Sequence, residues 1–297
     1  MDTEDDSIEA LPALPTYHQL ALTTQLKPGE RVNLVIANED LELTIERALA
    51  SQFGPQWREA AEAETQSLID LKTWEITSLD QVPAERTLVD NKWVFKVKIN
   101  DKQQLDKFKA RLCARGFTEV AGQDYKETFA PVARLSTFRL VLALSAGEGW
   151  HHTHIDIKTA FLNSTLKESI YMAMPKFVFE YYQTKYGMFQ GKTYEEANVA
   201  LKLIKSIYGL KQAGRDWYKT IDPFIISLDF KRCVHDPCTY VKGNRLDKVI
   251  IVLFVDDMLI AAKRMEDLFR IRRLIAEEFK MSAQPRSISV SRHSSKR

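Results

Sequence analysis

Three cysteines, Cys113, Cys233 and Cys238, are too few to staple a chain of 297 residues into a disulfide framework. They fit a reducing compartment. No run approaches the ~20 consecutive apolar residues that a bilayer-spanning helix needs. The opening stretch, MDTEDDSIEA, is acidic and has neither the basic start nor the apolar core of a secretory signal. The expectation is therefore a soluble intracellular protein without a membrane partner. No internal repeat is present. Beside Cys233, His235 and Cys238 there is no second ligand pair at zinc-finger spacing, so a structural zinc is not expected there. His151, His152 and His154 fall in a strand-like run, where the first two point to opposite faces and do not form a cluster.

What is present is a foldable composition, with 45% hydrophobic and 28% charged residues. The formal net charge of +2 conceals a segregation. Residues 1–85 carry 17 acidic and 5 basic side chains, a net of −12, whereas residues 91–115 carry 8 basic and 2 acidic, a net of +6. A concentrated basic stretch points to a polyanionic partner; a solvated charged face is the competing reading.

Residues 1–40 are acidic, contain Pro12, Pro15 and Pro28, and read as a poorly ordered leader. A helical stretch is predicted over 41–71, where Trp57, Ala60, Ala61, Glu64 and Leu68 recur at three- and four-residue spacing. Two strand-like runs, 92–99 and 108–114, flank a polar turn at Asn100 and Asp101 and predict a hairpin carrying the basic residues. Helix is expected over 137–146, then strands over 152–157 and 169–174. Residues 175–200 show no clear period and read as an insertion or long loop. A helix over 215–228 should be kinked or interrupted by Pro223. Residues 249–255 form an apolar, β-branched run typical of a buried strand; Asp256 and Asp257 interrupt it, and 258–262 resume it. This predicts a hairpin with two carboxylates at its tip, followed by a helix over 265–280. The Ser- and Arg-rich stretch 282–297 reads as a disordered basic tail.

Two adjacent carboxylates ending a buried strand are costly unless something compensates their charge. A hard cation such as Mg²⁺, bound by carboxylate and phosphate oxygens, would do so, although a plain solvated turn is the commoner reason for such a pair. A third acid, Asp156, stands at the edge of another apolar strand about a hundred residues upstream. If the two strands are neighbours, three carboxylates fall together, as two-metal phosphoryl transfer requires with ions roughly 3.5–4 Å apart.

At these residues the chain resembles a known family. WVFK at 93–96, FKARLCARGF at 108–117, DYKETFAPVARLSTFR at 124–139, DIKTAFLN at 156–163, IYM at 170–172, SIYGLKQAGRDWY at 206–218 and FVDDMLIAA at 254–262 follow the order found in Ty1/copia-type reverse transcriptases. The similarity covers roughly residues 50–281. It implies an α+β right-hand polymerase fold, with fingers and a palm whose antiparallel sheet is backed by helices. It also implies RNA-directed DNA synthesis, with Asp156, Asp256 and Asp257 as both catalytic and metal-binding residues for two Mg²⁺ ions, Mn²⁺ being an alternative. Phe161 would lie under the nucleotide sugar and select deoxynucleotides; a core aromatic is the alternative. Lys109 and Arg111, on one face of a fingers strand, would grip triphosphate or template backbone. Gly209 would admit template or nucleotide close to the backbone, and Tyr208 would pack on the nucleotide or templating base. Lys211 and Gln212 would touch nucleic acid or cap a helix. The implied partners are an RNA or DNA template with its primer, dNTPs and other Pol domains of a retroelement, in a cytoplasmic virus-like particle or the nucleus.

The chain departs from the family pattern at Gly214, where proline is usual, at Phe254 for tyrosine, at Glu119 for glutamine and at Ser164 for glycine. KFVFEYYQTKYG replaces the usual continuation after Pro175. After EEFKM the expected start of a thumb is replaced by SAQPRSISVSRHSSKR, so the thumb is expected to be largely missing. That leaves a catalytically inactive remnant, at most binding nucleic acid, as the alternative to a polymerase. A metal-dependent nuclease fits the acids but not the flanking motifs.

Overall fold

The structure, a computed structural model, describes residues 43–99, 105–244 and 246–281. The leader 1–40, the turn at Asn100 and Asp101 and the tail 282–297 lie outside the described residues. From the N-terminal side, helices α1 (Ile45–Ala50) and α2 (Gly54–Asp70) precede strands β1 (Trp74–Ser78), β2 (Leu88–Val89), β3 (Asn91–Ile99) and β4 (Leu105–Ala114). Helix α3 (Leu135–Glu148) leads to β5 (His151–Asp156) and β6 (Thr165–Ala173). Helices α4 (Lys176–Tyr186) and α5 (Tyr194–Ala197), β7 (Val199–Lys205) and α6 (Ala213–Ser227) follow. Strands β8 (Lys231–Arg232), β9 (Thr239–Lys242), β10 (Val249–Phe254) and β11 (Asp257–Ala262) and helix α7 (Met265–Glu278) complete the order. No described helix is long and apolar enough to cross a membrane.

The chain divides into two compact units. The first comprises the described residues up to Ser67, Lys92–Cys113 and Phe177–Met188. Here β3 and β4 pair as a two-stranded sheet. Trp57 of α2 seals it by meeting the rings of Phe95 and Phe108 edge-on at 5.1 and 4.4 Å. Trp93 meets Phe177 of α4 at 5.6 Å. Edge-to-face aromatic contacts of this kind add to the burial energy of the rings. The single helix predicted over 41–71 is two helices, because Ser51 caps α1 and the chain restarts at Gly54-Pro55, with proline tolerated in a first helical turn. The expected loop at 175–200 contains α4 and α5. Its aromatic run, KFVFEYYQTKY, has strand-like composition, but Phe177, Val178, Phe179 and Tyr182 are buried from a helical backbone.

The second unit holds two sheets. One has the order β1-β7-β6-β2, with β2 parallel to β6 and the other pairs antiparallel. The other is wholly antiparallel in the order β5-β11-β10-β9-β8. All residues of β10 from Val249 to Leu253 are buried, as happens when both faces of a sheet are covered. Val141 of α3, Trp217, Ile221 and Ile225 of α6, and Leu268, Ile271 and Ile275 of α7 share one core with this sheet. The α+β class and the helix-backed antiparallel sheet are thus present. Pro223 does not interrupt α6. The helix buries Ala213, Trp217, Ile221 and Ile225 at helical spacing, and that packing outweighs the one hydrogen bond proline removes.

Candidate active site

The β10–β11 hairpin pairs Phe254 with Asp257, leaving Val255 and Asp256 as a two-residue turn. Val255 has φ +56°, a left-handed conformation that is strained for a β-branched residue. Two bonds over-determine it. The Trp217 indole Nε1 donates to the Val255 carbonyl at 2.7 Å, and the Ile157 N–H donates to the Asp256 carbonyl at 2.8 Å. Strand β5 lies antiparallel beside β11 with Asp156 opposite Asp257. The three acids thus occupy neighbouring backbone positions at one end of the five-stranded sheet.

The Asp257 carboxyl is raised above the usual carboxylate range. Burial is the main cause, the His154 imidazole opposes it, and the charges of Asp256 and Asp156 push further upward. His154 Nε2 stands 3.2 Å from Asp257 Oδ1. It lies two residues before Asp156 on the same face of β5. That spacing was the available signal for this contact, which the sequence reading missed, as it missed Trp217 and the Val255 turn. Among the described residues, no three His, Cys, Asp or Glu side chains converge as a ready-made metal cage. The Cys238 thiol is buried and pushed up to about 12, with burial the leading cause, which makes it inert.

Phe161, in a 3₁₀ turn over Ala160–Asn163, is half-buried and meets the Tyr208 ring edge-on at 4.8 Å. Gly209 follows Tyr208 with φ +93°, and a Cβ there would lie 2.0 Å from the Ala114 carbonyl oxygen. The close approach expected of a ligand at Gly209 is therefore made by backbone from the end of β4. Beside it, Ala114 N–H donates to the Tyr208 carbonyl at 2.8 Å. Lys211 donates through its N–H to Glu119 Oε2 at 2.8 Å and through Nζ to the Glu119 carbonyl at 3.1 Å. Its ammonium also sits 4.9 Å from the centroid of the Tyr125 ring. Gln212 is buried at the N-cap position of α6, yet its side chain makes no capping bond, so the capping expectation is corrected. Both Gln212 amide atoms and Glu119 Oε1 are buried without a hydrogen bond. The Glu119 carboxyl is raised by burial, and the Lys211 N–H bond and the neighbouring Gln212 amide work against that rise.

In the first unit, Lys109 and Arg111 lie on alternate positions of β4 and flank the half-buried Glu64, whose Oε1 accepts the Leu112 N–H at 3.3 Å. Burial raises the Glu64 carboxyl, and that hydrogen bond, Lys109 and Arg111 oppose the rise. Lys109 is lowered to about 8, first by burial and then by Arg111 and Lys98. An amine so perturbed gains its proton most readily when an anion arrives beside it.

A family profile described as reverse transcriptase (RNA-dependent DNA polymerase) matches residues 71–288. The chain belongs to this family. The reverse transcriptase is 31% identical over 237 residues to the retrovirus-related Pol polyprotein from transposon RE1 of Arabidopsis thaliana, and 33% over 249 residues to that from transposon TNT 1-94 of Nicotiana tabacum. These matches cover 79% and 83% of this chain but only 15% and 18% of the polyproteins. The Gag-Pol polyprotein of transposon Ty1-DR4 from Saccharomyces cerevisiae is 26% identical over 234 residues, 78% of this chain and 13% of that polyprotein. The relatives are the copia-type Pol polyproteins to which the ordered motifs pointed, and this reverse transcriptase spans less than a fifth of their length.

Proposed function

We propose that this reverse transcriptase domain adds deoxynucleotides to a primer on an RNA or DNA template, with the five-stranded sheet acting as a polymerase palm and the β3–β4 pair as fingers. The observation that carries the reading is the register of β5 on β11, which sets Asp156 opposite Asp257 and beside Asp256. The donor set fits a hard divalent cation: three carboxylates, one of them raised by burial and by its acidic neighbours, would be relieved by positive charge. Asp156, Asp256 and Asp257 would hold two Mg²⁺ ions, or Mn²⁺, which when bound supply activation of the primer 3′-hydroxyl and neutralisation of the triphosphate.

The chain's own residues do the positioning. Trp217 and Ile157 fix the acid-bearing turn, so that the carboxylates start from a defined backbone. Phe161, braced by Tyr208, offers a ring beside the nucleotide sugar, where a 2′-hydroxyl would clash. Lys109, lowered to about 8, and Arg111 take up phosphate charge. Gly209, Lys211 and Gln212 act by shaping the backbone behind Tyr208 more than by contact with nucleic acid. Other Pol domains of the same polyprotein would supply the remaining steps of retroelement replication.

The test is primer extension on poly(rA)·oligo(dT) with Mg²⁺ and dTTP, comparing the chain with Asp256→Ala. Extension by the first and a loss of at least a thousandfold in the second are expected. A folded chain that extends nothing, or a variant that extends equally well, overturns the reading.

A further inference from the structure

Outside the acid cluster, the second unit carries an open cleft of about 580 Å³ lined by Arg86, Lys126, Lys167, Arg215 and Lys219, with Glu127, Glu168 and Ser169 among them. Five cations against two acids leave an excess of positive charge in a recess.

The cations divide into two kinds. Arg86 donates to the Gln123 carbonyl, and Arg215 pairs with Glu127, which cancels one of the two acids. These arginines hold the wall together. Lys126, Lys167 and Lys219 are exposed and carry no ion pair or hydrogen bond among the described residues, although Lys219 stands within electrostatic reach of the Asp216 carboxylate. Such unpaired charges concentrated in a recess repel one another, and an anion relieves them. Lys167, Glu168 and Ser169 reach the cleft from an irregular stretch of β6, where its register on β7 shifts, and Arg215 and Lys219 from one face of α6 by one helical turn. Trp217, between them on that helix, points to the other side and bonds the turn that carries Asp256. The cleft and the acid-bearing turn therefore lie on opposite sides of α6, about one helix diameter, ~10 Å, apart.

We infer that this cleft is a binding track for the phosphate backbone of single-stranded nucleic acid, with Lys126, Lys167 and Lys219 as the phosphate contacts. No aromatic ring lines it, so the backbone is held and the bases are not read. A recess of this size takes a flexible strand a nucleotide or two at a time, whereas a duplex, stiff over ~150 base pairs, cannot bend into it. The inference rests on the polymerase reading only in that the held strand would be the unpaired template.

The test uses the full chain and a fluorescent 20-residue oligo(rU), with no primer, Mg²⁺ or dNTP, titrated by anisotropy between 50 and 200 mM salt. Replacing Lys126, Lys167 and Lys219 together with Gln is expected to lower the slope of log affinity against log salt by about 2, at ~0.7 per phosphate contact. The wild-type affinity should then fall roughly 20-fold more than the variant's across that range. Replacing Lys176, Lys185 and Lys231 with Gln removes the same net charge elsewhere and should leave the slope unchanged. Equal slopes for wild type and cleft variant, or an equal fall in the control, overturn the inference. So does a blunt duplex, or poly-glutamate at matched charge, that competes as well as the single strand. A wild-type chain that binds the oligo(rU) with the expected salt slope but extends no primer rejects the polymerase reading alone.

Discussion

Replacing Gly209 with Ala tests how the segment behind Tyr208 is built. The residue has φ +93°, and a side chain in left-handed backbone costs about 1–2 kcal/mol. The added methyl carbon would also sit 2.0 Å from the Ala114 carbonyl oxygen, where an ordinary contact needs well over an ångström more. Relieving that overlap pulls the segment off the end of β4 and stretches the 2.8 Å bond from Ala114 N–H to the Tyr208 carbonyl. Ala114 is buried, so an orphaned donor there costs about 1–3 kcal/mol. The expected destabilisation is about 2–5 kcal/mol, a large share of the roughly 5–15 kcal/mol that holds a typical domain. Gly214→Ala is the matched control in the same unit. A methyl there meets only the Ala130 Cβ, at 3.7 Å, and should gain about 0.5–1 kcal/mol of helix stability. Urea unfolding followed by far-UV circular dichroism reads both. A loss under about 1 kcal/mol at Gly209, or an equal loss at Gly214, would refute the backbone-contact argument.

Trp217→Phe removes the donor to the Val255 carbonyl and should cost about 1–3 kcal/mol by denaturation, while slowing primer extension. Tyr240→Phe deletes a fully buried hydroxyl that donates to Asp222 at 2.9 Å, and a loss of about 1–2 kcal/mol with unchanged extension is expected. Lys109 loses its proton at about 8 in the folded chain but near 10.5 when unfolded. Between those values the unfolded chain binds the extra proton, so this residue makes stability rise as pH rises through the window. Lys109→Gln should flatten that rise, read by urea titrations at pH 8, 9 and 10.

The hairpin bearing Asp256 and Asp257 was legible because a β-branched apolar run broken by two acids has few other foldings. The strand at Asp156 was also legible, but its pairing with β11 was not, since nothing local encodes a partner a hundred residues away. Helix α4 was hidden because its aromatics have strand-like composition, and only burial against Trp93 in its own unit reveals the period. Gly209 shows the same limit at one residue. The sequence signals a need for space without saying whether ligand or backbone fills it. His154 was read with its histidine neighbours as an unremarkable strand leader, although its two-residue spacing from Asp156 placed both on one face.

The pairing of β5 with β11 has a consequence for synthesis. Among the described residues, strand β5 stands at the edge of its sheet, with β11 as its only neighbour in it. Asp156 leaves the ribosome 101 residues before Asp257, the residue it faces. At roughly 5–20 residues per second, β5 waits about 5–20 s with its backbone donors unclaimed. The bond from Lys158 N–H to the Lys280 carbonyl, at 2.9 Å, comes later still. The acid cluster is therefore among the last parts of the described fold to assemble, and the nascent chain is sticky along the very strand that carries Asp156.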